Sequence, residues 1–268
     1  MITTNLLDDN IHTRILTDSK GIFRVLEYTR DLSVTPENAE TAYFESAMSV
    51  RKRQLIADIN PKSGVIAQKG TMQLMLGDLR AVTDVENVGS LVKKYVGSKV
   101  TGETAIKPRY RGEGTLVLEP TFRFIILEDL KEWENGMVIE DGLFLACEDS
   151  ADLHVTARTT VSSAVFGREG LFNSILSGHG IVALESPTPR NELIEINMKD
   201  DVVKIDGNNA IAWSKSLAFT VERTTPTLVG SVMSGEGLVN TYRGSGKILV
   251  APVREGRIFA ISENDKNS

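Results

Sequence analysis

Apolar positions along the chain fall in short runs, and most of these runs have strand length. Residues 54–59, 65–67 and 72–76 form three of them, broken at Asn60-Pro61-Lys62-Ser63-Gly64 and at Lys69-Gly70. Further runs lie at 122–127, 137–139, 143–146, 193–196, 202–205, 210–213 and 217–221, with turn chemistry at Glu134-Asn135-Gly136, Asp141-Gly142 and Asp206-Gly207. Residues 152–156 alternate polar and apolar, as a half-buried strand does. Residues 22–28 and 42–50 read as strands of a lead-in segment, and residues 257–262 as a closing strand. One segment departs from this period. Over 83–97 the apolar residues Val85, Val88, Leu91, Val92, Tyr95 and Val96 share one helical face. Thr83 and Glu86 form a capping box and Gly97 supplies the stop, so the spacing predicts one amphipathic helix lying on a sheet.

Three stretches are copies of one pattern: two glycines separated by one residue, an apolar run, then proline. They carry Gly112 and Gly114, Gly178 and Gly180, and Gly244 and Gly246, with the first glycines 66 residues apart each time. Ala146, Leu153 and Val155 recur at the same spacing as Ala212, Phe219 and Val221. The chain therefore divides into a lead-in at 1–50, a first unit at 51–120 that holds the helix, a second at 121–190, and a third with its closing strand at 191–262. A period of 66 exceeds that of solenoids, roughly 20–50 residues. Many short strands with Gly, Asp-Gly and Pro punctuation predict an all-β protein: three fused small sandwich or barrel units with pseudo-threefold symmetry, sharing one compact core.

Composition adds limits. The 268 residues include 41% apolar and 25% charged residues, the balance of a soluble globular protein. The formal net charge of −6 argues against bulk nucleic-acid or anionic-membrane binding. The basic runs Arg51-Lys52-Arg53 and Lys107-Pro108-Arg109-Tyr110-Arg111 are local, and aromatics at 6% offer few stacking platforms. No apolar run reaches the roughly 20 residues of a membrane span, and the first ten residues do not read as a secretory signal. The single Cys147 sits in an apolar run, reads as a core residue, and suits a reducing cytoplasm.

Candidate chemistry is sparse. Gly178, Gly180 and Ala183 match a dinucleotide fingerprint, but that site needs a helix after the glycines and a β-like run follows here. The six glycines read instead as structural turns. His12, His154 and His179 are scattered, so no metal-ligand pair forms in sequence. There is no nucleophile elbow, Walker loop or Cys-x-x-Cys. No catalytic, cofactor-binding or metal-binding residue is assigned.

The segment Ser234-Gly235-Glu236-Gly237-Leu238 with Tyr242-Arg243-Gly244-Ser245-Gly246-Lys247 and the run to Pro252 resembles the C-terminal signature of the altered-inheritance-of-mitochondria family. Gly167-Arg168-Glu169-Gly170-Leu171-Phe172 with Gly178 and Gly180 resembles its middle repeat, and Thr101-Gly102-Glu103 with Gly112 and Gly114 its first. The resemblance covers about residues 50–255. It implies β-units like those of the tryptophan RNA-binding attenuation protein, three per chain. Bacterial members of that family have no established biochemical function, and fungal relatives are linked to mitochondrial inner-membrane organisation. The attenuation protein's Lys/Arg pattern does not recur in the three units, so RNA binding is not implied. The expectation is a cytoplasmic, non-enzymatic scaffold or binding protein without cofactor, joined to a protein partner or to further copies of itself. A small-molecule site or enzyme pocket between units is the alternative.

Overall fold

The structure is a computed structural model that describes residues 2–8, 10, 13–82, 107–140, 142–157, 172–207, 209–223 and 238–253. The helix expected at 83–97 and the closing strand expected at 257–262 lie outside the described residues. The protein is all-β, as expected. Strands β1 (Ile15–Lys20) and β2 (Phe23–Glu27) form the lead-in hairpin. The strand expected over 42–50 is a helix instead, α1 (Ala39–Ala47), entered through the 3-10 turn Pro36–Asn38. Pro36 fixes φ for the first turn, and Ala39, Glu40, Ala42, Glu45 and Ala47 are strong helix formers. Tyr43, Phe44 and Val50 had given the segment its β-like look.

The remaining elements follow as β3 (Arg53–Ile59), β4 (Val65–Ala67), β5 (Met72–Val82), β6 (Arg109–Leu118), β7 (Phe124–Asp129), β8 (Met137–Ile139), β9 (Phe144–Glu148) and β10 (Ala151–Ala157). Then come β11 (Phe172–Gly178), β12 (Ile181–Ser186), β13 (Ile194–Asp206), β14 (Ala210–Ser214), β15 (Ala218–Arg223) and β16 (Leu238–Val250). The two runs expected at 193–196 and 202–205 are one strand, β13, which absorbs its irregularity as a shift between Met198 and Asp201.

One sheet has the order β1-β2-β3-β6-β4-β9-β12-β7, with β5 also on β6. It curls until β7 lies beside β1 and β3, giving a nearly closed barrel. The second sheet has the order β10-β11-β8-β14-β16-β13, with β15 also on β16. Every pairing between these strands is antiparallel.

Side-chain alternation divides most of the described interior into three cores, beside a small cluster of Leu26, Ile56 and Val117. On β12, Ile181 and Ala183 face a core with Phe23, Leu55 and Leu116, whereas Val182 and Leu184 face one with Trp133, Met137 and Leu249. Both faces of β12 are buried, which explains why its sequence is a continuous apolar run rather than an alternating one. A third core on the far side of the second sheet holds Trp213, Tyr242, Ile248 and Phe219. Its rings of Trp213, Phe219 and Tyr242 lie 5.3–5.7 Å apart, within the range of favourable aromatic pairing.

The strands that carry the glycine pairs are the centres of pairing. The first half of β6 pairs with β4 and the second half with β3, while β5 runs along its whole length. The second half of β16 pairs with β14 and the first with β15, while β13 spans both. Around 178–180 the same path is split: β11 belongs to the second sheet and β12 to the first.

Candidate functional site

The six glycines take their places from this bending. Gly112 and Gly114 lie inside β6, Gly244 and Gly246 inside β16, and Gly178 and Gly180 where β11 passes into β12. All six have φ between +85° and +154°. At Gly112, φ is +129° and an added Cβ would overlap the backbone carbonyl oxygen of Asp78 on β5. A backbone atom cannot rotate aside as a side chain can, so only glycine fits there. β-strand follows every glycine pair, so no helix N-terminus is aimed at the turns. His179, between Gly178 and Gly180, is exposed, and its carbonyl accepts a bond from Ser150 Oγ at 2.9 Å.

Among the described residues, three clusters of charged side chains gather around Glu128, Glu27 and Asp149, and a further one on the second sheet joins Glu222 to Arg243 at 2.6 Å and Lys204 at 3.8 Å. Glu128 on β7 is 2% exposed. It accepts bonds from Arg190 Nε at 2.6 Å and Trp133 Nε1 at 3.1 Å, and Lys247 Nζ on β16 lies 3.8 Å away. That ammonium also sits 4.3 Å from the centre of the Trp133 ring. Arg190 reaches on to Glu195 on β13 at 2.5 Å, and this bond holds the Glu195 carboxyl below the usual carboxylate range. The cluster therefore ties the first sheet to the second.

The basic run Arg51-Lys52-Arg53 forms the second cluster, and each of its cations meets a carboxylate within the fold. Arg53, 3% exposed, pairs with Glu27 at 2.8 Å and stacks its guanidinium 3.8 Å from the Phe124 ring. Arg51 pairs with the other Glu27 oxygen at 2.8 Å, and Lys52 with Asp31 at 2.6 Å. The bond from Lys52, with further bonds from Ser33, lowers the Asp31 carboxyl to about 2. The second basic run is bound in a third cluster. Asp149 takes Arg111 Nε at 2.8 Å and the backbone N–H of Gly64 at 3.0 Å, with Arg109 at 3.9 Å. Lys107 lies 4.4 Å from the Phe144 ring centre.

A cleft of about 290 Å³ opens between α1, the segment after β2, and Phe122. Tyr28, Val34, Val50 and Phe122 give it apolar walls, and Asp31 and Lys52 place the ion pair above at its edge. Around it Leu32, Tyr43, Phe44, Met48 and Phe122 expose more than half of their surface. Cys147 is fully buried, and burial pushes its thiol up to about 12. His154 is exposed on β10. Among the described residues no three His, Cys, Asp or Glu side chains cluster as metal ligands.

Sequence reasoning did not find Glu128, Arg190, Lys247, Glu27 or Asp149. Their oppositely charged partners lie 24 residues away or further, as Arg51 does from Glu27 and Arg190, 62 residues on, from Glu128, except for Glu195, five residues from Arg190, so local spacing does not announce the clusters. The one visible signal is an acidic residue closing an apolar run, as Glu128 does after residues 124–127.

Comparison with known proteins supplies a family. The family described as mitochondrial biogenesis AIM24 matches residues 45–253, in keeping with the resemblance seen over about 50–255. An uncharacterised protein of Streptococcus pyogenes serotype M6 is 28% identical over 200 residues, covering 72% of this chain and 78% of that protein. A crystal structure of a Streptococcus pyogenes protein from a structural genomics programme aligns with a TM-score of 0.57 at 22% identity, covering 94% of this chain and 98% of the other. That likeness concerns the fold alone. Among the described residues no helix is long and apolar enough to cross a membrane.

Proposed function

We propose that this chain, which belongs to the mitochondrial biogenesis AIM24 family, is built of three related β-units and acts as a non-enzymatic scaffold or binding protein in the cytoplasm. The observation that carries this reading is a pair of long open edges. Among the described residues β5 pairs only with β6, and β13 only with β16. Each strand leaves apolar side chains in solvent, Met72 and Leu74 on β5, Ile194 and Val202 on β13. Free strand edges are templates for adding another strand, and long apolar ones are uncommon unless something pairs with them. The buried charges, by contrast, are held by partners within the fold.

The cleft beside α1 favours a second reading, a small-molecule site, because it combines apolar walls with an ion pair at its edge. Affinity capture from the native host, with the wild type and a Leu74→Lys, Val202→Lys variant, tests the first reading. Specific partners that are recovered with the wild type and lost with the folded edge variant support it. A stoichiometric small molecule that is released on denaturation and abolished by Ala42→Trp, with edge substitutions having no effect on any association, would replace it with the second.

A further inference from the structure

We infer that β5 of one chain pairs with β13 of a second copy of the same chain, with Leu74 opposite Ile205. This rests on reading the chain as three related units, and it names the partner of the open edges.

Two junctions within the chain serve as templates. In the first, β4 pairs with β9: Val65 opposite Glu148, Ile66 opposite Cys147, Ala67 opposite Ala146. In the second, β8 pairs with β14: Met137 opposite Ser214, Val138 opposite Trp213, Ile139 opposite Ala212. Each junction strand holds a fixed place relative to a glycine pair. Val65 and Met137 lie opposite Tyr110 and Leu176, each two residues before its first glycine. Val203 lies opposite Tyr242, two residues before Gly244, and so holds the same place on β13. On the other side, Ala146 and Ala212 lie opposite Ala183 and Leu249, each five residues after its first glycine. Leu74 lies opposite Val117, five after Gly112. All three of these strands also skip one residue just before that position, at Leu145, Ile211 and Gln73. The same rule that pairs β4 with β9 and β8 with β14 therefore pairs β5 with β13, with Met75 opposite Lys204 and Leu76 opposite Val203.

That third junction is not made within the chain: neither strand pairs with the other. Its exposure agrees. Ala146 and Ala212 are fully buried, whereas Leu74 in the matching place is 43% exposed. One chain thus offers both halves of a junction, and a second copy supplies the missing complement to each. Lys204 takes the place that Ile66 and Val138 hold, and its ammonium reaches Glu222 on β15 at 3.8 Å. The junction between copies is accordingly more polar than the two inside, which suits a reversible contact.

Sedimentation or light scattering across a concentration series tests this with the full chain. The wild type should pass from monomer to a larger discrete species. Leu74→Lys should weaken association about tenfold or more, since a leucine loses its burial, and Lys204→Val should tighten it, with melting of both variants near the wild type. Register is tested by mixing Met75→Cys and Lys204→Cys chains, whose side chains the proposed register places opposite each other on one face, with a short bismaleimide; buried Cys147 does not compete. Cross-linking between the two variants, and not within either alone, is expected. A monomer at every concentration, links only between identical variants, or a monomer-sized product closed within a Met75→Cys, Lys204→Cys double variant would each overturn the inference. If the chain stays monomeric while host partners are still lost with the edge variant, the scaffold reading stands and only the second copy falls.

Discussion

Arg190 makes two ion pairs whose settings differ, and removing each acid in turn separates burial from proximity. Glu128 lies 2.6 Å from the guanidinium and is 2% exposed; Glu195 lies 2.5 Å from it with more than a third of its side chain in solvent. By distance alone the two bonds are equal. Their surroundings are not. Glu128→Ala leaves the Lys247 ammonium almost enclosed against the Trp133 ring and orphans the Trp133 N–H, so one partner of a buried charge network disappears. Such losses cost about 3–5 kcal/mol. Glu195→Ala exposes its partner to water, and pairs of that kind contribute about 0–1 kcal/mol. For a chain of this size that is a fall in Tm of roughly 6–20 °C for Glu128→Ala against a few degrees at most for Glu195→Ala. Denaturant unfolding and calorimetry of both variants measure the difference. Equal losses, or a loss below about 1 kcal/mol for Glu128→Ala, would refute the claim that burial of this network locks the two sheets together.

Further outcomes follow from the same geometry. Gly112→Ala should lose about 1–3 kcal/mol through its positive φ alone, and more because the Asp78 carbonyl must move; Gly246→Val should also destabilise, and unchanged melting of both would remove the structural role of these glycines. The Asp31 carboxyl is lowered to about 2 in the fold, below its ordinary value of roughly 3.9. Its contribution to stability is therefore complete above about pH 4 and fades as the pH falls through about 2; the advantage of the wild type over Asp31→Asn, measured by unfolding across that range, should shrink accordingly. Native protein should resist maleimide at Cys147 and react once unfolded, as mass spectrometry will read; fast labelling of the folded chain would contradict its burial.

The strands were legible because their boundaries rest on local chemistry. Gly70, Asn135, Gly136, Gly142 and Gly207 all take positive φ at or beside turns read from sequence. The helix over Ala39–Ala47 was missed because none of its residues is buried, so no apolar face was selected and no helical period written into the sequence. The unity of β13 was hidden by polar Asn197, Lys199, Asp200 and Asp201, which break an apolar pattern without breaking the strand. Arg51-Lys52-Arg53 read only as a local basic run; Arg53 is buried because Glu27 and Phe124, brought over from other strands, receive it. Which strands neighbour each other was beyond reach, since the β4–β9 and β8–β14 pairings depend on long-range closure rather than on local preference.

The placement of β16 has a consequence for how the protein is made. Among the described residues β13 and β15 have no strand partner except β16, which leaves the ribosome after both of them. Until it emerges, the core around Trp213, Phe219 and Tyr242 lacks its central strand, and β13 trails behind the finished first sheet as an unpaired ribbon. Pairings that wait for a late segment are slow and leave apolar surface uncovered in the interval. A nascent chain arrested before residue 238 should therefore hold a folded first sheet with an adhesive extension. The window for chaperone capture, or for mispairing with a neighbour on the same message, closes with synthesis of β16.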